Sequence, residues 1–114
     1  MLKQITTDHT VIHELIEDHS ITTDEAEKHP QRHVLTRAVG VEKRLEIDSG
    51  SFTVIKGDRI LLCSDGLSAA LSEEEIASYL SHSEKTERQT VKDLFSRIYD
   101  EGAPDNATVV LKTV

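Results

Sequence analysis

Gly57-Asp58-Arg59-Ile60-Leu61-Leu62-Cys63-Ser64-Asp65-Gly66 and Gly102-Ala103-Pro104-Asp105-Asn106-Ala107-Thr108-Val109-Val110 decide the fold of this chain. In the first, an apolar run opens from a Gly-Asp turn and closes on Ser-Asp-Gly. In the second, a Gly-Ala-Pro-Asp turn opens into an apolar run. Apolar runs of this length bounded by turn residues are the pattern of buried strands. Each strand carries an aspartate at its mouth, Asp65 at the end of one and Asp105 at the start of the other. A carboxylate held in a tight turn beside a strand suits an oxygen-liganded ion such as Mg²⁺ or Mn²⁺.

What lies between the runs says how the two carboxylates meet. Ser72-Glu73-Glu74-Glu75 is a capping box that opens a helix through Leu80. Residues 86–99 form a longer helix with Val91, Leu94, Phe95 and Ile98 on one side. Helices of about 9 and 14 residues rise roughly 14 and 21 Å, comparable to the flanking strands, so an antiparallel helix pair returns the chain to the end of the sheet it left. The two strands then pair antiparallel with the helices on one face, and Asp65 and Asp105 share one end. The fold class expected is α+β.

Upstream, residues 8–18 place Val11, Ile12, Leu15 and Ile16 on one helical face. Thr22-Thr23-Asp24-Glu25 offers a capping box for a short second helix, stopped at His29-Pro30. Residues 31–40 carry mixed signals. Between residues 44 and 55, Leu45 and Ile47, then Phe52, Val54 and Ile55, read as extended segments broken at Ser49-Gly50. No repeat, low-complexity stretch or linker divides the chain.

Composition narrows the function. The 114 residues, 12.7 kDa, make one domain or part of one, with a modest core. A net charge of -8 argues against nucleic acid, because no basic stripe exists to displace counterions from phosphates. The same charge repels a phosphorylated substrate unless bound cations reverse the local field, so phosphoryl chemistry here would depend on metal. No apolar stretch is long enough to cross a bilayer. No charged-then-apolar leader opens the sequence, and the single Cys63 cannot form an internal disulfide; both fit a cytoplasmic protein. Within its apolar strand, Cys63 is expected to be a buried, inert thiol.

Taken together, these runs resemble the closing motifs of the metal-dependent serine/threonine protein phosphatases, the type 2C or PPM family. Gly57-Asp58 with Leu61-Leu62-Cys63-Ser64-Asp65-Gly66-Leu67 resembles the family's penultimate metal motif, with Asp65 as ligand and Gly66 supporting it. Gly102-Ala103-Pro104-Asp105-Asn106-Ala107-Thr108 resembles the terminal one, with Asp105 as ligand and Asn106 as companion. Residues 2–10, Ile21-Thr22, His29-Pro30-Gln31-Arg32 and Leu35-Thr36-Arg37-Ala38-Val39-Gly40 resemble the bacterial branch, where this stretch builds a mobile flap beside the active site.

The resemblance implies a partial PPM domain over residues 1–114, corresponding to the C-terminal half of the family's α-β-β-α sandwich. Residues 8–40 would be the flap-like front, and residues 44–114 the sheet and helix pair. The intact enzyme would hydrolyse phosphoserine and phosphothreonine on phosphoprotein substrates through metal-activated water, using Mn²⁺ or Mg²⁺. The motifs that open the family's domain are absent: an early Asp, an Asp-Gly pair whose carboxylate bridges two metals, and a phosphate-binding Arg. This chain alone is therefore expected to hold no complete catalytic set, to bind metal weakly and to be inactive. Two alternatives stay open: a non-catalytic phosphatase-like module that binds or regulates a partner, and a split enzyme completed in trans. Without the other half, the sheet is expected to expose an apolar face and an unpaired edge, which favours self-association as a homodimer.

Several residues invite other readings. His9 and His13, four apart on a helix, have a zinc-compatible spacing but no third ligand, so a solvated pair is favoured. Glu73, Glu74 and Glu75 are a helix N-terminus stabilised by the macrodipole. Asp58 reads as a turn residue, and Arg32 and Arg37 as surface or ion-pair residues. No Ser/His/Asp or Cys/His constellation, nucleotide-binding glycine pattern or phosphate loop occurs.

Overall fold

The computed structural model describes residues 1–114, which divide into two compact units, Gln4–Ser51 and Met1–Lys3 with Phe52–Val114. In the first unit, helix α1 spans Val11–Glu17 and helix α2 spans Thr23–Glu27. The helix expected over residues 8–18 starts later because Thr10 caps it, its hydroxyl accepting the His13 N–H at 3.0 Å. After Glu17 the chain turns through His19 at φ 62°, with His19 N–H on the Ile16 carbonyl and Ser20 N–H on the Leu15 carbonyl. That is a Schellman turn with histidine in the left-handed position glycine usually fills. Thr22 caps α2 by accepting the Glu25 N–H, and α2 ends before His29-Pro30.

An isolated bridge, Thr10 to Leu35, ties the start of α1 to the following loop. Beyond it, ion pairs join residues 37–48 to one another and to His9. Asp48 accepts from Arg37 at 2.9 Å and pairs with His9 at 2.8 Å. Hydrogen bonds from His9 and then Arg37 hold the Asp48 carboxyl below its usual range.

The second unit carries the sheet. Strands β1 (Arg59–Cys63) and β2 (Val109–Thr113) pair antiparallel in the register Arg59 to Thr113 through Cys63 to Val109. Three helices join them: α3 (Asp65–Ala70), α4 (Glu73–Leu80) and α5 (Glu87–Asp100). Leu61 and Val109, alternating to the same side of the sheet, pack on a core of Leu67, Leu71, Ile76, Leu94 and Ile98. Arg59 fastens β1 to the helical layer by donating to the buried Thr90 hydroxyl and to the Lys85 carbonyl. Arg97 ties α5 to α4 through Glu75 at 3.1 Å.

The α+β class, the antiparallel pair and the helices on one face are as the sequence led us to expect. Three features differ. The connection contains three helices rather than two: Ser64 starts a helix at Asp65, Leu71 breaks it with extended backbone, and Ser72 opens the next with a full capping box. Residues 44–55 form no strand. A strand needs a neighbour to take its N–H and C=O groups, and this stretch pairs with none, leaving Ile47 79% and Ile55 69% exposed.

Cys63, expected to be buried, is exposed. As the last residue of β1 it lies past the helical cover that shields Leu61. The desolvation it keeps still pushes its thiol pKa up, which disfavours the thiolate. On the sheet's other face the cross-strand pair Leu62 and Val110 stands 62% and 55% exposed.

Candidate metal site

Asp65 and Asp105 are positioned by two different devices. Asp65 is the first residue of α3, reached directly from β1 through Ser64. Its carboxylate complements the positive end of that helix and remains exposed. Asp105 is reached through a second Schellman turn at the end of α5. There Gly102, at φ 90°, donates to the Tyr99 carbonyl, and Ala103 donates to the Ile98 carbonyl. Ala103 is itself left-handed at φ 46° and precedes Pro104, a costly conformation for a residue with a Cβ. The chain then bends at Asp105, whose Oδ1 accepts the Asn106 N–H at 2.7 Å. This bond fixes one carboxylate oxygen and leaves the other open to solvent.

The β1–β2 register puts both residues at the same end of the sheet, because Asp65 follows Cys63 and Asp105 precedes Val109. Two contacts bring their segments together. Ser64 and Thr108 are joined twice: Ser64 N–H donates to the Thr108 carbonyl at 3.0 Å, and Thr108 N–H donates to Ser64 Oγ at 2.9 Å. Gly66 lies so close under the other segment that a Cβ there would meet the Asn106 carbonyl oxygen at 2.0 Å and Ala107 Cα at 3.0 Å. Of the four residues expected at the site, Gly66 and Asn106 therefore touch, and Asp65 and Asp105 flank that contact.

The donors at this end are hard oxygens, which fit Mg²⁺ or Mn²⁺ rather than a soft ion. No three His, Cys, Asp or Glu side chains are grouped so that together they could hold a metal ion. Two carboxylates leave an octahedral ion most of its water, which makes for weak binding.

The other candidates are occupied elsewhere. His9 is held by Asp48, and His13 faces Glu17 at 3.4 Å. Arg37 pairs with Asp48 and Glu46, which raises its pKa, and Arg32 donates to the His29 carbonyl. Asp58 closes its own turn, accepting the Ile55 N–H at 2.9 Å around Gly57 at φ 95°. An open concavity of about 520 Å³ in the first unit is lined by His9, His13, Arg37 and Asp48 among others, and includes neither Asp65 nor Asp105. Sequence reasoning gave Ser64 and Thr108 no role beyond their places in the two motifs. A serine between a strand and an aspartate reads as a helix N-cap, but its side chain makes no such cap here, so the sequence carries no signal for this link.

No protein-family model matches the chain. Individual relatives do. The serine/threonine phosphatase stp of Listeria monocytogenes is 35% identical over 111 residues, covering 97% of this chain and 44% of that protein. The serine/threonine phosphatase of S. agalactiae superposes with a TM-score of 0.89 at 32% identity, covering 96% of this chain and 46% of that one. The catalytic domain of the phosphatase PstP, solved in complex with two manganese ions, gives a TM-score of 0.72 at 35% identity, over 97% of this chain and 44% of its own. The chain thus spans a little under half the length of the relatives it matches. In both fold and sequence, nearly the whole chain aligns with a little under half of these bacterial PPM-type serine/threonine phosphatases, as a C-terminal half of such a domain would.

Proposed function

We propose that this chain contributes Asp65 and Asp105 to a divalent-metal site of a protein serine/threonine phosphatase, with Gly66 and Asn106 holding the two ligand segments together. The observation that carries this reading is the convergence of the segments at one end of the sheet, locked by the Gly66–Asn106 approach and the double Ser64–Thr108 link. Manganese in the PstP relative supports Mn²⁺ as the ion, with Mg²⁺ as the chemically equivalent choice. Such an ion would supply positive charge for phosphate oxygens and for activation of water. This chain's part is to hold two exposed carboxylates in place and to leave the ion's remaining positions open.

Phosphoserine and phosphothreonine on proteins are the proposed substrates of the intact enzyme, and the cytoplasm is its proposed location. No helix is long and apolar enough to cross a membrane. The exposed Leu62–Val110 face and the unpaired stretch 52–55 favour a covering partner, either the remaining half of the domain or, when the chain is alone, a second copy of itself. Residues 8–40 would act as the flap beside the active site.

Two carboxylates without a third protein ligand should not sustain turnover. The test is an aryl phosphate assay in millimolar Mn²⁺, on the chain alone and mixed with the complementary half of a relative such as the Listeria enzyme. Activity only in the mixture, abolished by Asp65→Asn, supports the reading. Robust turnover by the chain alone would overturn the requirement for the other half.

A further inference from the structure

Ser64 occupies the N-cap position of α3, yet its side chain makes no capping hydrogen bond. Serine at an N-cap ordinarily turns its hydroxyl to accept an N–H of the first helical turn, as Ser72 and Thr86 do in this same chain. Ser64 spends its hydroxyl elsewhere, and the reason is visible in the ladder. Ser64 and Thr108 continue the β1–β2 register one position past Cys63 and Val109. In an antiparallel hydrogen-bonded pair the two residues exchange both main-chain bonds. The first is present, from Ser64 N–H to the Thr108 carbonyl. The second would run from Thr108 N–H to the Ser64 carbonyl, but that carbonyl accepts the Leu67 N–H at 3.3 Å and so begins α3. Thr108 N–H instead meets Ser64 Oγ at 2.9 Å.

We infer that Ser64 is a positioning residue for the metal site: its hydroxyl stands in for its own carbonyl in the strand ladder, so that β1 becomes a helix at Asp65 without releasing the segment that carries Asp105. A carbonyl oxygen can accept twice, but one turned along the helix to meet Leu67 N–H is turned away from the ladder, so the two demands conflict in direction. A carbonyl given to the ladder would delay the helix and move Asp65, and a carbonyl given to the helix alone would free Thr108 and, three residues upstream, Asp105. Alanine cannot meet both demands. Threonine, with the same hydroxyl, can. The inference rests on the metal reading for its consequence but not for its geometry, so two readouts are needed.

The experiment compares the full chain with Ser64→Ala, Ser64→Thr and Ser72→Ala, measuring Thr108 amide exchange by NMR and Mn²⁺ affinity by calorimetry. Ser72→Ala removes a true cap in the same unit and controls for general loss of stability. Ser64→Ala should speed Thr108 exchange about tenfold, the usual scale for losing one hydrogen bond, and weaken Mn²⁺ binding several-fold. Ser64→Thr should restore both, and Ser72→Ala should leave Mn²⁺ affinity unchanged. Unaltered Thr108 exchange in Ser64→Ala would overturn the inference, as would an equal loss of Mn²⁺ affinity in Ser72→Ala. If the unsubstituted chain binds no Mn²⁺, or Asp65→Asn leaves binding intact, the metal reading fails, and a positioning role for a metal fails with it.

Discussion

Replacing Gly66 by alanine should invert the usual sign of that substitution. Gly66 lies in the first turn of α3, and exchanging a helical glycine for alanine normally stabilises by about 1 kcal/mol. Here the added Cβ would sit 2.0 Å from the Asn106 carbonyl oxygen, 2.7 Å from its carbon and 3.0 Å from Ala107 Cα. All three atoms are main chain, so no side chain can swing aside. The segment carrying Asp105 must retreat by roughly an ångström or more, and overpacking of that order costs about 1–3 kcal/mol. A main-chain clash this close belongs at the upper end of that range, so after the helix-propensity gain of about 1 kcal/mol is subtracted a net loss of about 2 kcal/mol remains, equivalent to a fall in Tm of roughly 10 °C for a domain this size. Chemical denaturation of Gly66→Ala beside the unsubstituted chain measures it. Because the displaced strand also separates Asp105 from Asp65, Mn²⁺ affinity should fall in the same variant. A variant as stable as the original, or more so, would refute the close approach of the two segments.

Other outcomes follow from the same geometry. Leu94→Ala empties a fully buried position between α4, α5 and the sheet and should cost about 3 kcal/mol by urea denaturation. His19→Gly relieves a left-handed residue at the end of α1 and should stabilise that turn by about 1 kcal/mol, read as slower amide exchange at His19 and Ser20. Glu75 has its pKa lowered by the Ser72 N–H and then by Arg97. The stability this contributes is therefore held above the unfolded carboxyl pKa near 4.5 and lost as pH falls through the lower folded value. Glu75→Gln should flatten that acid limb in denaturation midpoints measured from pH 6 down to about 3.

The sequence made the backbone plan readable because the strong signals were local. Ser72 and Glu75 close their capping box as read, and Asp58 holds its turn. The apolar runs ending at Cys63 and starting near Val109 pair as strands. What escaped were features set by partners. Leu45 and Ile47, then Phe52, Val54 and Ile55, have the composition of extended segments, but composition only states a preference, and no neighbouring strand pairs with them here. Cys63 carries a buried residue's composition at the one strand position beyond the helical cover. The sequence offered Asp65, Asp105, Gly66 and Asn106 as candidates for the site. It was not legible as a mechanism of attachment, because Ser64 acts through a main-chain amide far along the chain, and single-sequence patterns do not show which N–H a hydroxyl will meet. The left-handed Ala103 before Pro104 was equally hidden, since alanine gives no sign of the conformation forced on it.

Asp65 and Asp105 are proposed to hold one ion between them. The most direct measurement is the broadening of amide resonances when Mn²⁺ is added to the chain, since the paramagnetic ion marks the nuclei around it. Selective broadening is expected at Asp65, Gly66, Asn106 and Ala107, weak and displaced by Mg²⁺, and lost in both Asp65→Asn and Asp105→Asn. Broadening centred instead on His9, His13 and Asp48, or unchanged by either aspartate substitution, would contradict it.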